Sequence, residues 1–208
     1  MEHRLFSAII NREGLEVPGH LILLSVDLKQ THIVLNRITE RLKTEIAQIQ
    51  IDELCHSLNW RMHIVAAWIL LLDDQKLYNS NGLWNAIDAG SWVTPQLIVT
   101  AYLRSSDFEE QASKRLSKSY PALTSHVFSE EQQRRNNRPK RIKSVLAKRF
   151  NSLQAVMGYE KAASILGKEP LDEAIANDID DCDDIVRVWQ ARVLQKLHER
   201  GIIYNPER

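Results

Sequence analysis

From Ile64 to Leu72 the chain carries nine successive apolar residues, with Asn59-Trp60 shortly before them and Asp73-Asp74 directly after. Wound into a helix, such a run leaves no wet face over two turns, so other elements must enclose it. It is too short to cross a bilayer, whose hydrocarbon core asks for about 20 apolar residues. The other long uncharged run, Ala89 to Leu103, also falls short and is interrupted by Thr94, Pro95 and Gln96. The sequence must therefore supply enough neighbouring elements to cover a buried helix on every side. With only 7 Gly and 6 Pro in 208 residues, it lacks the turn residues an all-β cover would need. The cover is predicted to be helical.

The flanking patterns agree. Leu35, Ile38, Leu42, Ile46 and Ile49 step by three and four, which predicts one helix face and leaves Arg37, Glu40, Arg41, Lys43 and Glu45 to solvent. The block Leu21 to Leu24 after Pro18-Gly19 is read as a helix, although its length also suits a strand. Asp52 can cap a short helix through Leu54 and Leu58, and Asn59 can cap the apolar one. Asn79-Ser80-Asn81-Gly82 reads as a turn. Ser91 is expected to cap a helix from Trp92 to Leu103, with Pro95 in its first turn. Asp107 caps a further helix through Phe108, Ala112 and Leu116, and Ser119-Tyr120-Pro121 starts another that ends near Phe128. Beyond Pro139 a face returns with Ile142, Val145, Leu146, Phe150, Leu153 and Met157, ending at Gly158. Ile185, Val186, Trp189, Val193 and Leu197 mark the last helix, with Gly201 as a left-handed cap and Ile202 as its apolar contact.

Two of these segments resemble one another. Asn59-Trp60 corresponds to Ser91-Trp92 at a shift of 32, and with one inserted residue Ile64-Val65-Ala66-Ala67 falls on Leu97-Ile98-Val99-Thr100. A second register, at a shift of 24, pairs Trp60 and Trp68 with Trp84 and Trp92. A period near 33 holds two short helices, the size of a helical solenoid unit. On these residues, followed by Asp107-Phe108, segment 51–117 resembles the HEAT and armadillo-like repeats. That resemblance implies stacked helix pairs forming an α-α superhelix, and a protein-binding scaffold, by analogy of fold. The expected fold is all-α: a helical-repeat body over 1–128, a basic linker at 129–138, and a C-terminal helical part over 139–208 packed on the body.

Charge is balanced, 27 basic against 27 acidic residues, so a globally basic nucleic-acid binder is not expected. Its distribution is uneven. Residues 132–150 hold eight basic side chains and no acid, and residues 169–184 hold eight acids and no base. Arg134, Arg135, Arg138, Lys140, Arg141 and Lys148 form the candidate partner-binding patch; the same charges could follow phosphates, face solvent, or neutralise the acidic run. The acidic run fails as a calcium loop. Counting from Asp178, position five is Cys182, and Asp183 stands where glycine is required. Ala162 to Gly167 resembles the start of a helix-turn-helix, but the following segment carries Asp172 and Glu173 and no base to meet DNA. Cys55, His56 and His63 offer no metal spacing, and the tryptophans Trp60, Trp68, Trp84 and Trp92 are expected mainly in the core.

No phosphate-binding glycine motif, nucleophile elbow or HExxH is present. The start lacks the apolar stretch of a signal peptide, and Cys55 and Cys182 form no CxxC. The sequence is therefore expected to encode a cytoplasmic, non-enzymatic scaffold that binds another protein, without cofactor, metal or membrane contact. A nucleic-acid-associated protein using residues 134–149 is the alternative. A helical enzyme with dispersed acid–base groups is the third reading.

Overall fold

A computed structural model describes residues 4–26, 29–43, 46, 48–73, 78–124, 138–167 and 182–204, without the side chains of 120–124 and 138–143. Among the described residues the chain is all-α: eleven helices and no strand. They are α1 (Arg4–Ile10), α2 (Gly19–Ser25), α3 (Thr31–Leu42), α4 (Gln48–His56), α5 (Trp60–Leu72), α6 (Asn81–Asp88), α7 (Thr94–Arg104), α8 (Phe108–Thr124), α9 (Arg138–Met157), α10 (Tyr159–Leu166) and α11 (Cys182–His198). The chain divides into two compact units, one formed by residues 1–106 with 188–208 and the other by 107–187. No helix among the described residues is long and apolar enough to cross a membrane.

The first unit is organised by α5. The Asn59 carboxamide accepts the N–H of Arg61 at 3.1 Å and starts the helix where the sequence predicts. From His63 to Leu72 every residue is buried, and α1, α2, α3, α4, α6 and α7 all pack on it. Full burial of a large apolar side chain contributes about 1.5–3 kcal/mol, so this run is the main source of cohesion in the unit. Trp68 meets the edge of Trp189 at 6.0 Å and donates its indole N–H to the Leu23 carbonyl at 2.9 Å. Its one polar atom is therefore satisfied in the core.

Two successive helix hairpins lie side by side. Helix α4 packs on α5 and α6 on α7, while α4 also packs on α6 and α5 on α7. The α4–α6 contact is close enough to need glycine: a Cβ on Gly82 would lie 2.9 Å from the Cys55 Cβ and 3.1 Å from its sulfur. The Asn79–Gly82 turn expected from the sequence thus ends two residues early, because Asn81 and Gly82 already belong to α6. At the other end of the pair, Asp73 caps the C-terminus of α5 and Arg104 ends α7. Their side chains form a buried ion pair at 3.2 Å, only 2% and 3% exposed respectively. Asp73 also accepts the Tyr78 N–H, and Arg104 donates to the Tyr204 hydroxyl, which in turn donates to the Leu71 carbonyl.

Long cationic side chains close several helix ends. Arg37, expected in solvent, is half-buried and donates to the carbonyls of Ile9, Asn11 and Glu13, closing the C-terminus of α1. Arg192 donates to the Ser25 carbonyl at the end of α2. There Val26 is held at φ 60 while fully buried, a left-handed conformation that a β-branched residue rarely adopts. The Leu35–Ile49 periodicity does not make one helix. Helix α3 ends at Leu42 and α4 starts at Gln48; Ile46 is buried between them and Ile49 is exposed. Asp52 does not begin a helix but lies inside α4, where it accepts from the Gln48 side chain. Leu58 lies beyond that helix, in the turn.

In the second unit α8, α9 and α10 pack against one another around Phe108, Ala112, Leu116, Phe150, Leu153 and Ala162. Helix α8 continues through Ser119 and Pro121, so no new helix starts there. Gly158, at φ 88, separates α9 from α10 as predicted. The stretch expected as a linker, 129–138, lies outside the described residues except for Arg138, which begins α9. On α11, Val186, Trp189, Val193 and Leu197 are buried as expected, whereas Ile185 is partly exposed. The helix closes with the Ile202 N–H on the Leu197 carbonyl and Gly201 at φ 75, the anticipated cap.

Candidate functional site

Among the described residues the charged segments yield no assembled site. Arg134 and Arg135 lie outside the described residues. Arg138, Lys140 and Arg141 fall in the first turn of α9, and Lys148 is half-buried further along it. Arg149, counted among the eight basic residues, is buried and donates to the Ser119 hydroxyl at 2.7 Å. Of the acidic run, residues 169–181 lie outside the described residues, Asp183 accepts the Tyr159 hydroxyl and Asp184 pairs with Arg187. Burial and the Asp183 contact push the Tyr159 hydroxyl up to about 12. No group of metal-ligating side chains is assembled among the described residues. Burial, with the Asp52 charge adding to it, raises the Cys55 thiol to about 12, so this sulfur stays protonated and unreactive.

The arrangement that stands out is on the two corresponding turns. The α4–α5 turn, Ser57 to Asn59, and the α6–α7 turn, Ala89 to Val93, lie side by side; Trp60 opens α5 directly after the first, and Trp92 stands within the second. The two indoles meet at 4.8 Å, tilted by 58°. Trp60 is half-buried, Trp92 is 60% exposed and Leu58 is fully exposed. The edge of His20 meets Trp60 at 5.6 Å, and the guanidinium of Arg61 lies over the Trp60 ring, 5.1 Å from its centre. Trp60 thus touches both a second indole and a cation, and Leu58, two residues before it, is exposed.

The two turns are tied together by His63. Its Nε2 is 2.7 Å from the Ser57 carbonyl, which can only accept, so Nε2 carries the proton. Nδ1 is then the acceptor for the Ser91 hydroxyl, also at 2.7 Å. One neutral imidazole thus pins a turn of each hairpin. Ser91 in addition accepts the Val93 N–H, and its carbonyl accepts from the Thr94 hydroxyl. These bonds make residues 91–93 a turn of their own, which is why α7 starts at Thr94 and not at Trp92. A serine hydroxyl donating to a histidine is also how a nucleophile is activated, but here both side chains are buried and committed to holding turns.

His20 follows the same logic. Arginine only donates, so His20 Nε2 accepts from Arg61 Nε at 3.2 Å and the imidazole is neutral. Its Nδ1 is buried and has no hydrogen-bond partner among the described residues. Burial lowers the pKa of His20, and the Arg61 charge lowers it further. Burial also lowers that of His63, against the raising effect of its backbone hydrogen bonds to Ser57 and Cys55.

Sequence reasoning placed all four early tryptophans mainly in the core. Trp68 and Trp84 are there. Trp92 is not, because a turn residue is covered only if something folds over the turn, and no local pattern encodes that. Comparison of the chain with protein-family models, with curated proteins and with solved structures finds no match.

Proposed function

We propose that this protein is a non-enzymatic helical scaffold that binds another protein, and that the Trp60–Trp92 face is its docking surface. The observation that carries the reading is the 60% exposure of Trp92 on a rigid support. Tryptophan and arginine are the residues most enriched where binding energy concentrates, and an indole held by its neighbours loses little entropy on binding. Trp92 packs against Trp60, on a turn that His63 ties to the other hairpin.

The repeat reading is supported by the same geometry. In stacked units, equivalent residues of successive repeats become neighbours. Trp60 and Trp92, equivalent at a shift of 32, are in contact, and α4–α5 packs on α6–α7 helix for helix. The basic residues of α9, Arg138, Lys140, Arg141 and Lys148, are a second element of the proposal. Such charges raise encounter rates more than they raise affinity.

The test is quantitative affinity purification from the native cell with wild type and Trp92→Ala in parallel. Truncating a hot-spot residue costs about 2 kcal/mol or more, roughly thirtyfold in affinity. Specific partners should therefore disappear from the variant. An unchanged set of partners at full exchange would remove the face from the reading.

A further inference from the structure

We propose that the Trp60–Trp92 face takes a peptide segment in which a bulky apolar side chain stands beside a carboxylate, with the apolar group on Trp92 and the carboxylate on Arg61. The inference rests on the scaffold reading above and adds the chemistry of what the scaffold takes.

Arg61 is exposed, yet its position is fixed from two sides. Its Nε is spent on His20 Nε2 at 3.2 Å, and its guanidinium carbon lies 5.1 Å from the centre of the Trp60 ring. The two terminal nitrogens have no hydrogen-bond partner among the described residues. A guanidinium fixed at its Nε and held over an aromatic ring presents its two terminal nitrogens as a pre-oriented pair of donors, the geometry that matches a carboxylate. The apolar half of the site is continuous with it, since Trp92 packs directly on Trp60. Leu58, two residues before Trp60, extends the apolar surface of the same turn.

Charge decides between occupants. Residues 57–61 and 88–93 together hold one cation, Arg61, and one anion, Asp88, and Asp88 is already engaged within the fold. A phosphate backbone is tracked by a row of cations, and a single arginine does not make one. A second copy of this chain docked through the same face would bring another Arg61 rather than an acid. A short segment pairing one acid with one apolar anchor complements the face in both charge and character.

Panning a phage-displayed random dodecapeptide library on the full chain tests this. The enriched peptides should carry Asp or Glu next to Phe, Leu, Ile, Met or Trp. Synthetic versions should bind wild type at least about tenfold more tightly than Arg61→Gln, the scale of one charge-assisted hydrogen bond. They should not bind Trp92→Ala. Both side chains are exposed, so both variants should keep the wild-type circular dichroism. Converting the peptide's acid to its amide should weaken wild type as much as Arg61→Gln does and leave the variant unaffected. Enriched peptides that need Trp92 but lack an acid would overturn the carboxylate assignment and leave the docking reading intact. No enrichment over the Trp92→Ala chain would remove both. An oligouridylate bound at low salt and lost on Trp92→Ala would assign the face to bases and overturn the proposal.

Discussion

Replacing Asp73 by Asn strikes the most costly contact in the first unit. The carboxylate and the Arg104 guanidinium lie 3.2 Å apart, 2% and 3% exposed, so neither is solvated when its partner is lost. Removing one member of such a pair costs about 3–5 kcal/mol, mostly as the penalty of the charge left behind. Asparagine keeps an acceptor for the Tyr78 N–H, and the Tyr204 hydroxyl still faces Arg104, so the low end applies: about 3 kcal/mol. For a chain of this length that corresponds to a fall in Tm of roughly 6–12 °C. Removing both charges in Asp73→Leu/Arg104→Met takes away the orphan and should restore most of the loss. All five tryptophans, Trp60, Trp68, Trp84, Trp92 and Trp189, belong to this unit, so indole fluorescence during urea unfolding reports on it alone. A cost below about 1 kcal/mol for Asp73→Asn, or additive losses in the double variant, would refute the argument.

Gly82→Ala sets a helix-propensity gain of about 1 kcal/mol against overpacking of about 1–3 kcal/mol at the Cys55 contact, so the thermal midpoint should fall. A midpoint equal to or above wild type would mean α4 and α6 separate freely. His20 and His63 both hold pKa values below 6.5, so the unfolded chain binds protons first as pH drops. Their contribution to stability is therefore complete above about pH 6.5 and is lost as pH falls toward the folded values. Urea midpoints should decline as pH falls below about 6.5, less steeply in His63→Gln, and identical slopes would exclude His63 as a contributor. Reversing Arg138, Lys140 and Arg141 to Glu should slow partner association and lessen its salt dependence. Binding of DNA or RNA that weakens steeply with salt, and is lost in that variant, would favour the nucleic-acid reading instead.

Much of the architecture was legible because it rests on local rules. The enclosure of α5 follows from nine apolar residues in a row, its start from Asn59, and the end of α11 from Gly201 and Ile202. What escaped depends on partners distant in sequence. Gly82 looked like a turn residue, yet its lack of a side chain serves the approach of Cys55, 27 positions earlier. Arg37 fits the polar stripe of α3, and only the nearby end of α1 draws it in. Ser91 has the chemistry of a helix cap, but its hydroxyl joins His63 and the Val93 N–H in a separate turn, and the helix starts at Thr94. The paired indoles were visible as a repeat. Their exposure was not, since it depends on what the fold leaves uncovered.

The first unit is completed by residues 188–208, with Trp189 against Trp68. During synthesis α5 leaves the ribosome more than a hundred residues ahead of its last covering side chain. Until then a nascent chain carries the greasiest segment of the protein incompletely shielded, a window in which holdase chaperones would be expected to engage it. Closing the intervening loop adds little entropic cost, because that cost grows only logarithmically with length. The vulnerability is one of timing, and premature termination before Val188 should produce aggregates rather than a smaller working protein.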